Sequence, residues 1–210
     1  MTSSSPLVHD ASRRAILIAS LATVCVLSAA CAAGRPVHYY TIDPPALTTV
    51  APKPNGPSLV VGRFTAPETL EDGRIRYRSG SHEVGSYEYH RWTEPPGMLA
   101  RDLLIRTLRG SGNYCQVQEA SGTASGDYLV RGRLLDFSEV DSPGIRIRVA
   151  LQLELFDRKT GALIWTRDYG RDEAVEGKTM KDVVAAMDHG LQQVVAEAAS
   201  GIGAFLSTRS

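Results

Sequence analysis

The chain has 210 residues, of which 43% are hydrophobic and 22% charged; that suits one globular domain with a leader and a linker, and excludes a disordered chain. Basic and acidic residues number 23 each, so the positive excess that phosphate neutralisation demands is missing, and nucleic acid is set aside as a partner. At the N-terminus, Arg13 and Arg14 precede an almost continuous apolar run over 15–27, then Ser28, Ala29, Ala30 and Cys31. Charge, a short apolar run and small residues follow in the order of a secretory signal peptide, and residues 1–30 are read as one. A membrane span needs about 20 apolar residues, and a core helix would not sit behind paired arginines at the chain's start. Removing this leader takes away Arg13, Arg14, Asp10 and Cys25, leaving one net negative charge. Cys31 and Cys115 remain, at no spacing that points to a disulfide or a metal.

The segment Leu27-Ser28-Ala29-Ala30-Cys31 resembles the lipobox of bacterial lipoproteins, with Ser28 where a leucine usually stands. That resemblance implies cleavage before Cys31 and acylation of Cys31, whose chains would tie the protein to a membrane. An ordinary signal-peptidase site, which Ser28-x-Ala30 also fits, would cut the same bond without lipid. Ala32 after the cysteine implies, by the same resemblance, sorting to the periplasmic face of the outer membrane. Residues 12–17, with their paired arginines, also look like a twin-arginine export signal.

Residues 31–57 hold six of the eleven prolines, at 36, 44, 45, 52, 54 and 57, and read as a lipidated N-terminus and an extended tether. Within it, residues 37–42 have strand composition and are placed at a sheet edge. The folded domain is expected over 58–210. Residues 59–64 read as a buried strand, and 74–78 with 83–90 as a hairpin around Ser79-Gly80-Ser81-His82. Pro95-Pro96 sets a helix start; the helix is expected over 98–108 and Gly110-Ser111-Gly112 stops it. A short strand over 114–118 leads to three strands in series, at 127–137, 145–156 and 162–170. The middle one alternates without a break: Ile145, Ile147, Val149, Leu151, Leu153 and Leu155 on one face, Arg146, Arg148, Gln152 and Glu154 on the other, a pattern no helix can mimic. Asp157-Arg158-Lys159-Thr160-Gly161 turns the chain. A long helix over 179–206 follows from apolar residues at three- and four-residue steps, Leu191 and Val195 among them, with Thr179 and Asp182 spaced as a capping box. Two helices on a mostly antiparallel mixed sheet make a two-layer α+β domain, whose other sheet face is wet or covers a partner.

Tyr87-Glu88-Tyr89-His90-Arg91-Trp92-Thr93-Glu94-Pro95-Pro96 carries a family likeness, supported by Tyr39-Tyr40-Thr41-Ile42, Arg76-Tyr77-Arg78 and Asp127-Tyr128-Leu129-Val130-Arg131-Gly132. Together these resemble the ABC-type transport auxiliary lipoproteins, also called PqiC-like proteins. The resemblance covers nearly all of the mature chain. It implies a non-catalytic accessory of a lipid-transport system, whose partners are an MCE-type protein and an ABC transporter.

The histidines, at 9, 38, 82, 90 and 189, show no metal-ligand spacing, and no nucleophile elbow, phosphate loop or dinucleotide fingerprint occurs. No catalytic residue, metal or cofactor is expected. The competing classes are an outer-membrane activator of a cell-wall synthase and a hydrolase whose site is dispersed along the chain. Tyr87, Tyr89, Arg91 and Trp92 are of the residue types that dominate protein interfaces and are taken as the partner-binding set. Strict alternation puts Tyr87, Tyr89 and Arg91 on one face and Trp92 on the other, where it can plug the core. The set would dock on the MCE-type partner or on a neighbouring copy of the same domain.

Overall fold

The computed structural model describes residues 35–46, 50–80, 82–141 and 143–209. Its elements run, in chain order, β1 (His38–Tyr40), β2 (Ser58–Val61), a single 3-10 turn (Glu68–Leu70), β3 (Arg74–Ser79), β4 (Glu83–Trp92), α1 (Pro96–Gly110), β5 (Gln116–Glu119), β6 (Tyr128–Val140), β7 (Arg146–Asp157), β8 (Leu163–Ala174) and α2 (Met180–Ser207).

The sheet is organised about β6. One edge of β6 pairs antiparallel with β7 along its whole length, and β7 pairs in the same sense with β8. The other edge is shared in tandem. Leu59–Val61 lies parallel to Tyr128–Val130, Thr65 bridges to Arg133, and Arg76–Arg78 lies parallel to Ser138–Val140. Beyond β2 lies β5; beyond β3 lie β4 and then β1. The long pairings are antiparallel and the short ones parallel, as the mixed-sheet reading expects.

Alternation decides which face is covered. Ile147, Val149, Leu151, Leu153 and Leu155 of β7 are fully buried, as are Val130, Leu134 and Phe137 of β6. A bulge at Leu135 separates Leu134 from Phe137, so both point inward although they are three residues apart. The helices close this face. α2 starts with a complete capping box: the Asp182 N–H donates to the Thr179 side chain, and the Asp182 carboxylate accepts from the Thr179 N–H at 2.9 Å. Its Val183, Met187, Leu191, Val194, Val195, Ala198 and Ile202 are buried at helical spacing. α1 has proline in its first turn and contributes Leu99, Ala100, Leu103, Leu104 and Leu108 to the same core. Gly132 allows Phe64 to cross β6, because the phenyl ring occupies the space a Cβ would need. The 157–161 turn forms as its residues dictate: the Asp157 carboxylate accepts the N–H groups of Lys159 and Thr160, and Gly161 takes φ 75°.

Several elements differ in extent from the sequence reading: β2 ends at Val61 and not 64, β5 is Gln116–Glu119 and not 114–118, and β6 runs to Val140 and not 137. β8 continues to Ala174 because Arg171–Ala174 keeps pairing with Arg146–Val149. The helix expected over 98–108 runs over Pro96–Gly110. Residues 37–46, read as part of the tether, pack on the domain. β1 pairs with β4, Ile42 is buried, the Asp43 N–H donates to Asp188, and Gln192 donates to the Asp43 carbonyl at 2.8 Å. The compact unit accordingly starts at Val37. No helix of the described residues is long and apolar enough to cross a membrane.

Candidate docking surface

The expected partner-binding set lies on β4, and the pairing of that strand redistributes it. Arg74 pairs with Arg91, but Arg76 pairs with Ser86, so β4 carries extra residues between the two points. Tyr87 and His90 are an odd number apart, yet their rings meet edge to face with centroids 5.9 Å apart. Strict alternation, which grouped Tyr87 with Tyr89 and Arg91, fails across this irregularity. Tyr87 turns toward the covered face, where it meets Tyr77 and donates its hydroxyl to Glu139 at 2.9 Å. Trp92 leaves the docking set: it is 3% exposed and packs on Phe137 at 5.1 Å between ring centroids. Since His90 and Trp92 point to the covered side, Tyr89 and Arg91 point to the other. Cys31, the expected acylation site, lies outside the described residues.

On the covered side, Tyr77, Tyr87, His90, His38 and Tyr40 form a chain of ring contacts that fastens β1 to β4. His38 stacks on His90 at 5.3 Å, and the Tyr40 hydroxyl shares a hydrogen bond with His90 Nδ1 at 2.9 Å. Burial, helped by the nearby His38, lowers the His90 pKa below 6.5. Burial raises Tyr40, and burial with the adjacent Glu139 carboxylate raises Tyr87 far above a free phenol. Glu139 is 4% exposed, and burial lifts its pKa although Tyr87 stabilises the carboxylate. At neutral pH His90 is uncharged and the tyrosines keep their protons. The cluster holds a strand; among the described residues no group of three or more His, Cys, Asp or Glu could hold a metal.

The side that no helix of the described residues covers, the helix-free side, has a different character. Next to Arg91 in the β1–β4 register stands Tyr39, 64% exposed. Beside Arg91 on β3 is Arg74. The Nε atoms of Arg76, Arg78 and Arg91 are buried without a hydrogen-bond partner. Across the rest of this face, arginines and carboxylates pair: Arg76 with Asp72 at 3.0 Å, Arg78 with Asp136 at 2.9 Å, and Arg148 with Asp172 at 2.8 Å. Arg148 and then Arg146, both hydrogen-bonded to Asp172, hold its carboxyl below the usual carboxylate range. Tyr39, Tyr89 and Arg91 thus form an aromatic and cationic end of an open sheet face, the composition of an interface hot spot. Tyr39 escaped selection from the sequence because its neighbour Arg91 is 52 residues away and the strands pair parallel, a contact no local pattern reveals.

The comparisons with known proteins agree with this architecture. A protein from Xanthomonas campestris has the same fold, with TM-score 0.71 at 18% identity, over 83% of this chain and 100% of that one. An uncharacterized protein matches with TM-score 0.64 at 17% identity, over 80% and 99%. A hypothetical protein from Chlamydia trachomatis matches with TM-score 0.50 at 11% identity, over 72% and 98%. No curated protein matches the chain. The family model described as the ABC-type transport auxiliary lipoprotein component matches residues 40–199, nearly the whole of the described domain, and the chain belongs to that family.

Proposed function

We infer that the protein, as a member of that family, acts as a non-catalytic accessory component of an ABC-type transport system. We propose that it works in lipid transport across the periplasm, exported by residues 1–30, anchored by acyl chains on Cys31 to the periplasmic face of the outer membrane, and docked on an MCE-type protein through the helix-free sheet face. The observation that carries the docking reading is the exposed Tyr39 set beside Arg91 in the parallel β1–β4 pair, an aromatic next to a cation on an uncovered strand edge. A second copy of the domain is the other occupant this face could receive.

The test is the double substitution Tyr89→Ala with Arg91→Ala in the full chain. Circular dichroism and melting should stay close to wild type, while co-purification with the MCE-type protein and self-association fall. A folded variant that keeps both associations removes this end of the sheet from the interface.

A further inference from the structure

Away from the docking end with its Arg91, the open sheet face pairs Arg76, Arg78, Arg146 and Arg148 with carboxylates, but not the arginines of one hollow. Arg63, Arg131 and Arg133 line a concavity of about 230 Å³ together with Thr65, Gln152 and Glu154. The fold brings them together. Segment 62–65 runs beside β6, its Gly62 N–H bonding Val130 and its Thr65 N–H bonding Gly132. Phe64 then points into the core and Arg63 out of it. Arg131 and Arg133 flank Gly132 on β6, opposite Glu154 and Gln152 of β7.

The side chains of Arg63 and Arg133 have no hydrogen-bond or ion-pair partner among the described residues, and that of Arg131 only lies over the Phe156 ring at 4.8 Å. Glu154 forms no ion pair there either. Three guanidiniums and one carboxylate leave the hollow with two positive charges in excess, in a chain whose formal net charge is zero. Like charges gathered at one point repel, and an anion between them relieves that repulsion. The volume is below the roughly 300–1,000 Å³ of sites for drug-sized ligands and suits an ion-sized group.

We propose that this hollow binds a phosphate-bearing anion, a phosphomonoester or phosphodiester, held by the forks of Arg63, Arg131 and Arg133. The guanidinium fork matches two oxygens of a phosphate at once. Thr65 offers a hydroxyl at the rim, while the Gln152 amide already donates to Asp168 at 2.8 Å. This site is separate from the docking end and stands whether or not the MCE-type partner is correct.

The full chain in a non-ionic detergent is titrated by phosphorus NMR with inorganic phosphate and, separately, with glycerophosphoglycerol, a lipid headgroup without its tails. Saturable binding is expected. The triple substitution Arg63→Gln, Arg131→Gln, Arg133→Gln should weaken it by about tenfold or more, since hydrogen bonds to charged groups are among the stronger ones. The control Arg146→Gln with Arg148→Gln, which touches only paired arginines of the same face, should not. Tighter binding of glycerophosphoglycerol supports a lipid headgroup as the source; tighter binding of inorganic phosphate supports a free phosphate. No saturable binding of either probe, or an equal loss in the control, overturns the site. If the triple variant melts below wild type, the single Arg133→Gln decides in its place, and unchanged affinity there overturns the proposal.

Discussion

Glu139 sits at a point where charge and burial oppose each other. Its carboxylate accepts from Tyr87 but faces little water, and burial raises its pKa above the ordinary 4.5. The sign follows by linkage. In the window above 4.5, the folded carboxyl keeps a proton that the unfolded chain has released, so this group favours folding on the acid side, and the contribution is lost as pH rises through the folded value. His90, whose folded pKa is lowered, acts in the opposite sense: its contribution is present above 6.5 and is lost as pH falls below that value. Glu139→Gln removes the buried charge and keeps an acceptor for Tyr87. The variant is expected to melt higher than wild type at about pH 8 and to lose that advantage at about pH 4; a lower melting temperature at both would show that the charge is stabilising. Gly132 is the other residue on which local geometry turns. Gly132→Ala sets a methyl group against the Phe64 ring and should destabilise by about 1–3 kcal/mol in denaturant unfolding, as overpacking does. Neither effect was legible in the sequence. Glu139 and Tyr87 are 52 positions apart, and Gly132 reads there only as the end of the Asp127–Gly132 segment, with nothing to link it to Phe64.

Elements whose reasons are local could be read from the chain. β7 and α2 owe their form to periodicity and to a cap built within four residues, and the structure has both close to where they were expected. Leu191→Ala, at a fully buried position of α2, should lower stability by about 2–5 kcal/mol. Thr179→Ala removes the acceptor for the Asp182 N–H and should lower it by about 1 kcal/mol; equal losses for the two would mean that the helix is held by its cap rather than its core face. β4 was legible as a strand but not in its register. The irregularity opposite Arg74–Arg76 is decided by pairing, and it separates Tyr87 from Tyr89 and Arg91. The parallel addition of β1 to β4 is likewise a tertiary event. The sequence put residues 37–42 at a sheet edge by composition, without identifying the strand they join.

At the scale of the whole molecule, the two sides of the sheet have different jobs. One is sealed by α1 and α2 and supplies stability. Among the described residues the other carries no helix and presents arginines, Tyr39 and Tyr89. A sheet face this polar needs no cover for its own sake, since antiparallel sheets tolerate water on one side; its aromatic end is where a partner gains most by docking. The proposed anchor gives a separate test. Labelling with a palmitate analogue should mark the wild-type chain and not Cys31→Ser, and equal labelling of both would place no lipid on that cysteine. The central claim, that an auxiliary transport component docks through its helix-free face, is tested most directly by photo-crosslinking in the cell. A photoreactive residue is placed at Tyr39 on the open face or at Ala196, exposed on the outer side of α2. A crosslink from position 39 to an MCE-type or ABC transporter component is expected and none from position 196; a crosslink to that component from 196 alone would contradict docking through this face.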